Sequence, residues 1–413
     1  MRFAFPLTRT GLGLAFLAAC SLALGSSFSP VVFQLPDPLV FVLRIVGWSL
    51  TALLYYTLLQ QVRRGAKVQA RTLYTVFFVL AAPFLLAFPV FAGDIFAYVA
   101  TAKVAILGNP YLITPSALGT DPILHGVFGM WQGWPLTYGP LWAGLLKVVT
   151  WCTHDNFTIF MALRTLTFAS VLGIGAALAR AASPTRAALF LWSPIIFVDA
   201  IADAHNDIIV GAAVLLAVLT FSKQVRSSLA FALSVALKYI TLPLLPIFIA
   251  AAPAGKRVRR AFVATGVLII TFAILFLPWW VGGETFRGVR YQSTLFVPPP
   301  ITAQYPIFFT AFILDVPIHP EVFARALGAT LFAIALAFLT WRVAKRQTAL
   351  VPAVAMAMGA YLFFAASYVQ AWYLLWLLPL LPLFERRHAT RWMGALVIVW
   401  AFLQVYPYYY WTL

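Results

Sequence analysis

Charge is what this sequence has least of. Only 9% of its 413 residues are Asp, Glu, Lys or Arg, and the acids number 11. A soluble domain carries about a quarter of its residues as charge, because its surface must face water. Here 63% of the residues are apolar, more than one soluble core can absorb before it splits into domains with polar surfaces. Soluble enzymes and disordered chains are therefore excluded. The two cysteines, Cys20 and Cys152, are too few for a disulfide scaffold, and Cys152 is expected as a buried free thiol. What the chain does have is a succession of apolar runs. At about 20 residues per crossing, its length allows a dozen or more. The expected fold class is all-α: a single polytopic membrane domain over residues 1–413.

Apolar runs lie near 10–28, 38–60, 72–92, 157–179, 186–202, 206–222, 258–280, 322–341, 349–366, 370–384 and 391–411. The first comes after Arg2 and Arg9 and resembles a secretory signal, but apolar character continues past Cys20, so an uncleaved helix is the expectation. Residues 227–252 are apolar too, with Lys223 and Arg226 before them and Lys256, Arg257, Arg259 and Arg260 after. One crossing would leave one of these clusters outside. Lys238 and Pro243 interrupt the run, so a hairpin of two short helices is expected, a break tolerated where protein or a cavity satisfies the backbone. The total is about 13 membrane helices.

The 28 basic residues leave a net charge of +17, a balance that would suit nucleic acid. Their placement excludes that partner: no basic run is interleaved with stacking aromatics. Most fall in alternate gaps between apolar runs, as with Arg63, Arg64, Lys67 and Arg71, Arg180 and Arg186, Arg342, Lys345 and Arg346, and Arg386, Arg387 and Arg391. By the positive-inside rule these gaps are cytoplasmic, in a plasma (inner) membrane protein with its N-terminus inside and C-terminus outside. The acids fall oppositely. Asp94, Asp121, Asp155, Asp199, Asp203, Asp207, Glu284, Asp315 and Glu321 all sit at or near the external face. Chemistry that needs a carboxylate is expected there.

Two external segments, 93–156 and 281–321, are longer than a connection requires. Both are rich in proline and aromatics, so they are expected to be ordered, and long ordered loops commonly carry function. Asp94 opens the first, after Gly93. A partly desolvated carboxylate there could accept a proton from an attacking hydroxyl, or it could simply cap the helix over 95–107. Asp199, Asp203 and Asp207 recur every four residues, and like charges at that spacing repel. The repulsion is relieved by a cation, by a shared proton, or by the chain turning between two short helices. One histidine among scattered carboxylates has no diagnostic metal-ligand spacing, and neither metal nor cofactor is expected. Lys238 is an ionisable residue inside an apolar run, able to meet a lipid phosphate or to snorkel to an interface. Arg287 and Arg290 could clamp a phosphate or be solvated. The aromatics at 406–411 read as an interfacial belt, whereas Trp372 and Tyr373 could also stack on a sugar ring.

Taken in order, several segments resemble one family. Gly93-Asp94-Ile95-Phe96-Ala97-Tyr98, Gly108-Asn109-Pro110-Tyr111 and Thr137-Tyr138-Gly139-Pro140-Leu141-Trp142 are similar to the first external loop of polyprenol-phosphate-mannose-dependent mannosyltransferases, which have the GT-C membrane glycosyltransferase fold. Ala204-His205-Asn206-Asp207, Leu237-Lys238-Tyr239 and Gln370-Ala371-Trp372-Tyr373-Leu374-Leu375-Trp376 resemble its later elements. Ala204 stands where the family has glycine, and Ala371 where it has proline. The resemblance runs from about residue 90 to 385.

That resemblance implies an inverting transfer of a sugar, mannose first, from a polyprenyl-phosphate donor to a hydroxyl of a lipid or glycan acceptor on the non-cytoplasmic face. Asp94 becomes the catalytic base. Lys238, and by location Arg287 and Arg290, become donor-phosphate ligands. Tyr98, Asn109, Tyr111, Tyr138, His205, Asn206, Asp207, Gln370, Trp372 and Tyr373 become substrate-binding residues. The rival class is a transporter or flippase of lipid-linked envelope precursors, which needs polar groups at the midplane and access from both sides. Acids crowded at one face favour the enzyme.

Overall fold

The structure, a computed structural model, describes residues 17, 20, 37–87, 89 and 92–411. Arg2, Arg9 and all of the first apolar run but residues 17 and 20 lie outside them, as do the side chains of 406–411. Among the described residues the fold is helical throughout, and β pairing is confined to two isolated bridges. The expected all-α class is observed.

Each described apolar run after the first becomes helix, but many are short or broken. Asn156–Ala181, Pro320–Ala344 and the helix ending at Phe276 are long and apolar enough to cross a bilayer. Outward side chains on and just past the last, such as Ile269, Ile270, Ile274 and Leu277, are exposed, the pattern of a lipid-facing surface. Run 186–202 is not one helix. Pro184–Leu191 and Ile196–Ala202 meet at a bend of 69°, and the second piece is π-helical. Run 349–366 also ends in a π-helical turn, Tyr361–Ala365, and the aromatic segment Ala371–Trp376 is a 3-10 helix. Such irregular turns inside apolar runs often mark functional sites.

The hairpin expected in 227–252 is present. Gln224–Leu237 stops at Lys238, whose backbone is extended (φ −151°, ψ 120°), and the chain returns through Tyr239–Leu244 and Leu245–Ala250. Both ends reach the same basic face. Gln224 Nε2 donates to Arg259 O at 3.1 Å, and Arg346 Nη1 donates to Ala251 O at 2.8 Å. Arg260 donates to Phe221 O (2.9 Å) and Ser227 Oγ (2.8 Å), and Arg257 Nη2 to Ala344 O (2.6 Å). Ala344 ends one helix, and Phe221 and Ala251 lie just past the ends of two others. The clustered arginines thus satisfy orphan carbonyls at helix C-termini, where positive charge is also favoured by the helix dipole.

Asp207–Leu219 and Gln224–Leu237 pack antiparallel, and each is about 20 Å long at 1.5 Å per residue. A bilayer core is about 30 Å thick. The far ends of this pair, Asp207 and Lys238, therefore stand about 20 Å from the basic face, less than that thickness.

Both long segments expected outside are ordered. Residues 93–156 carry the helices Asp94–Leu107 and Pro140–Cys152, joined by short turns. Lys103 pairs with Asp121, which also accepts from Ile123 N (3.0 Å) and Asn156 Nδ2 (3.1 Å). Burial pushes the Asp121 carboxyl up, but these donors outweigh it and hold the group below its ordinary range. Residues 281–321 carry Arg287–Thr294 and Gln304–Ile313. Cys152 corrects one expectation: its thiol is free but exposed, because it is the last residue of its helix rather than part of a packed face.

Candidate active site

The polar residues around the far ends of this helix pair form one buried cluster. Asp199, Asp203, His205 and Asp207 are wholly buried, and Asn206 and Lys238 nearly so. Local backbone chemistry assembles it. The π-helical turn ends at Ala202, and Ala204 adopts a left-handed conformation (φ 51°), uncommon for a residue with a Cβ. This is the position where the resembling family has glycine. The turn breaks the helix between Asp203 and Asp207, so the three acids do not line one helical face, while His205 stays beside the first two, its N–H donating to Asp199 O at 3.0 Å. The chain turns, as the four-residue repeat allowed.

Asp207 then meets Lys238 from the other arm of the hairpin. Lys238 Nζ donates to Asp207 Oδ1 at 2.6 Å, and Trp376 Nε1 donates to the same oxygen at 2.5 Å. The ammonium also lies over the rings of Tyr373 (4.6 Å), Trp376 (5.1 Å) and Tyr138 (5.3 Å). Lys238 does not snorkel. It is held by one carboxylate inside an aromatic cage, where cation–π attraction is strongest because the charge is desolvated.

The N-cap of its helix is Gly93, and Asp94 is the first helical residue, so the cap position itself does not fall on the acid. Gly93 is needed for a close approach: a Cβ there would lie 2.9 Å from Gly126 O. Asp94 Oδ2 stands 3.7 Å from His205 Nδ1, with 22% of its side chain exposed. It is the cluster's opening to a small cleft that Tyr98, Thr101, Trp131, Trp134 and Tyr138 also line. Burial pushes its carboxyl up to about 7, against the pull of Lys238 and with a further push from Asp207. A carboxylate poised near neutrality suits proton abstraction. His205 stacks on Trp372, with ring centroids 4.1 Å apart and planes 11° from parallel.

The remaining candidates divide. Tyr98 donates to Asn206 Oδ1 (3.3 Å) and lies edge-on to Tyr138 and Trp142, so it faces the cluster. Tyr111 is buried and donates to Tyr138 O (3.0 Å), while Asn109 donates to Trp279 O (2.8 Å) and accepts from Tyr111 N. These two support the wall rather than open onto it. Gln370 is buried, and its carbonyl accepts from Tyr373 N (3.1 Å) at the head of the aromatic turn. Arg287 and Arg290 are not gathered with Lys238. Arg290 pairs with Glu284 at 2.9 Å, and Arg287 donates to Leu112 O at 2.6 Å and stands 3.7 Å from Glu284. A local acid three and six residues upstream takes their charge.

Sequence reasoning passed over two residues and the partners of a third. Trp376 lies in the quoted aromatic motif, one turn from Trp372 and Tyr373, and that spacing was its signal. Arg164 is an intramembrane arginine, a functional or structural flag in itself. It donates to Leu85 O, Ala87 O and Ala202 O, clamping the turn that carries Asp203. Asp199 is bound by Trp400 Nε1 and by Gln404 Nε2 (2.8 Å), partners about 200 residues away that no local pattern reveals.

Comparison with known proteins bears on the same chemistry. Residues 5–255 match the family described as alpha-(1->6)-mannopyranosyltransferase, N-terminal domain. A curated relative in Mycolicibacterium smegmatis, named "Probable alpha-(1->6)-mannopyranosyltransferase", is 30% identical over 139 residues, which is 30% of this chain and 24% of that protein. The matched part thus spans about a quarter of the relative's length. No solved structure matches the chain.

Proposed function

The chain belongs to the alpha-(1->6)-mannopyranosyltransferase family, and from that premise we propose that it transfers mannose from a polyprenyl-phosphate donor to a hydroxyl of a lipid or glycan. The reaction is a single displacement with inversion, on the non-cytoplasmic side of the plasma membrane. One observation carries the reading: Asp94, the acid through which the cluster opens to the cleft, stands 3.7 Å from His205 in the same cluster as the caged ammonium of Lys238.

The Asp94 carboxylate takes the proton of the acceptor hydroxyl, and that oxygen attacks the anomeric carbon of mannose. The bond from that carbon to the phosphate oxygen breaks, and the polyprenyl phosphate leaves with the electron pair. The leaving group gains charge, so cationic stabilisation counts for more than protonation. Lys238 supplies it: an ammonium has three donors, and Asp207 occupies one. Its position, less than a bilayer core's thickness from the basic face, suits a phosphate whose lipid tail stays in the bilayer. Trp372 and Tyr138 supply aromatic faces for the sugar, and Tyr98 and Asn206 supply hydroxyl and amide groups to orient it.

The test is transfer from labelled polyprenyl-phosphate mannose in isolated membranes, with extracted cell lipids as acceptors and identification of the product. Asp94→Asn should abolish transfer at unchanged expression. Retained transfer in that variant removes Asp94 from the base role, and no labelled product from any acceptor favours transport of lipid-linked precursors instead.

A further inference from the structure

Two buried acids of the cluster, Asp199 and Asp203, have no part in the transfer. One ligand atom from each of Asp199, Asp203 and His205 falls within 4.8 Å of the others, and all three residues are wholly buried. Asp199 accepts from two neutral donors, Trp400 Nε1 and Gln404 Nε2. The Arg164 guanidinium lies close enough to Asp203 to act on it electrostatically. The independent sign is the imidazole. Both nitrogens of His205 are buried without a hydrogen-bond partner, although a ring nitrogen sealed from water ordinarily costs free energy unless it is bonded. It is fixed by stacking on Trp372, so its direction is set by the fold.

We propose that Asp199, Asp203 and His205 bind a divalent cation of the first transition row. One imidazole and two carboxylates make a mixed nitrogen–oxygen donor set, suited to Mn2+ or Zn2+ rather than to Ca2+. Donors about 2.1 Å from such an ion lie roughly 3–4 Å apart, so small side-chain rotations close the site. The hydrogen bonds from Trp400 and Gln404 then serve as the outer shell that orients a ligating carboxylate. The ion would fix the imidazole beside Asp94 and balance two carboxylates that share one helical turn. It is a positioning site, distinct from the cleft where substrate enters, and its occupancy does not depend on the mannosyl-transfer reading.

The experiment uses the purified full chain in detergent, stripped with a chelator and then dialysed against Mn2+ or, separately, Zn2+. Bound metal is counted by mass spectrometry, and Mn2+ is examined by pulsed electron paramagnetic resonance with 15N-labelled histidine. The expected result is about one ion per chain, a higher unfolding temperature, and coupling to a single histidine nitrogen. His205→Gln and Asp203→Asn should weaken binding by about 10-fold or more, and Gln404→Met, which disturbs only the outer shell, by less. Should the first two fail to fold, the nitrogen coupling in the unaltered protein decides. Absence of bound metal, binding without histidine coupling, or binding unchanged in folded His205→Gln each overturns the proposal, whatever the transfer assay shows.

Discussion

Replacing Lys238 by Met separates what the lysine does for the fold from what it does for the reaction. Asp207 is wholly buried, and its Oδ1 takes both the ammonium at 2.6 Å and the Trp376 indole at 2.5 Å, while Oδ2 has no partner. Met fills nearly the same space but leaves the carboxylate with one neutral donor. Removing one member of a buried pair costs about 3–5 kcal/mol, because the survivor is desolvated and uncompensated. Asp207→Asn alone strands the ammonium and should cost a similar amount. Together the two substitutions remove both charges, and most of the loss should return, giving a coupling of about 2–4 kcal/mol in a double-mutant cycle. The assay is unfolding of the purified protein in mixed micelles, read by tryptophan fluorescence. Transfer should stay absent in Lys238→Met and in the double variant, because neither offers the leaving phosphate a cation. A loss below about 1 kcal/mol in Lys238→Met, the range of an exposed pair, would show that the cage is hydrated and refute the reasoning. So would transfer that returns together with stability in the double variant.

Ala204→Gly should be neutral or stabilising by up to about 1.5 kcal/mol. The left-handed backbone costs an alanine about 1–2 kcal/mol, and the greater chain entropy of glycine returns about 0.5–1. Ala204→Val at the same φ should lose folded protein, and equal unfolding temperatures for the Gly and Val variants would refute the strain argument. Arg287→Gln with Arg290→Gln should leave transfer within about fivefold of the unaltered protein, because their partner is Glu284 and exposed pairs are worth at most about 1 kcal/mol. A larger rise in the KM for the donor would instead put these arginines on the phosphate.

Composition and charge placement carried the fold class, since a chain this apolar has one solvent available to it, and clusters such as Lys223, Arg226 and Arg257 mark which helix ends share a face. The hairpin broken at Lys238 was legible for the same reason. Helix length was not. Runs 186–202 and 370–384 have the composition of crossings, but a 69° bend and a 3-10 turn divide or tighten them, and neither leaves a periodic signal in side chains that are apolar on every face. At the site, Asp94, His205, Asp207, Lys238 and Trp372 stood in short ordered motifs and come together. Arg287 and Arg290 were chosen by their position in a loop, and position in a loop says nothing about which carboxylate lies within reach. Asp199 was visible as a charge, but its partners Trp400 and Gln404 belong to a distant helix, and pairing at that range is decided only by packing.

That long-range pairing bears on how much of the chain is one unit. The matched family segment ends at residue 255, yet residues beyond it complete the cluster. Trp372 stacks on His205, Tyr373 and Trp376 cage Lys238, and Trp400 and Gln404 hold Asp199. Arg260, also beyond the match, donates to Phe221 O and Ser227 Oγ on the hairpin. A fragment ending at 255 would leave Asp199 and Asp207 buried with fewer donors or open to lipid, at a cost of several kcal/mol for each unpaired charge. Expressed alone, 1–255 should therefore insert but aggregate on extraction, whereas co-expression with 256–413 should restore a monodisperse complex, measured by gel filtration and by co-purification through a tag on one piece. A fragment 1–255 that is monodisperse and as stable as the whole chain would mean that the acids are satisfied within the matched segment, and that the aromatic turn and the last helix serve substrate alone.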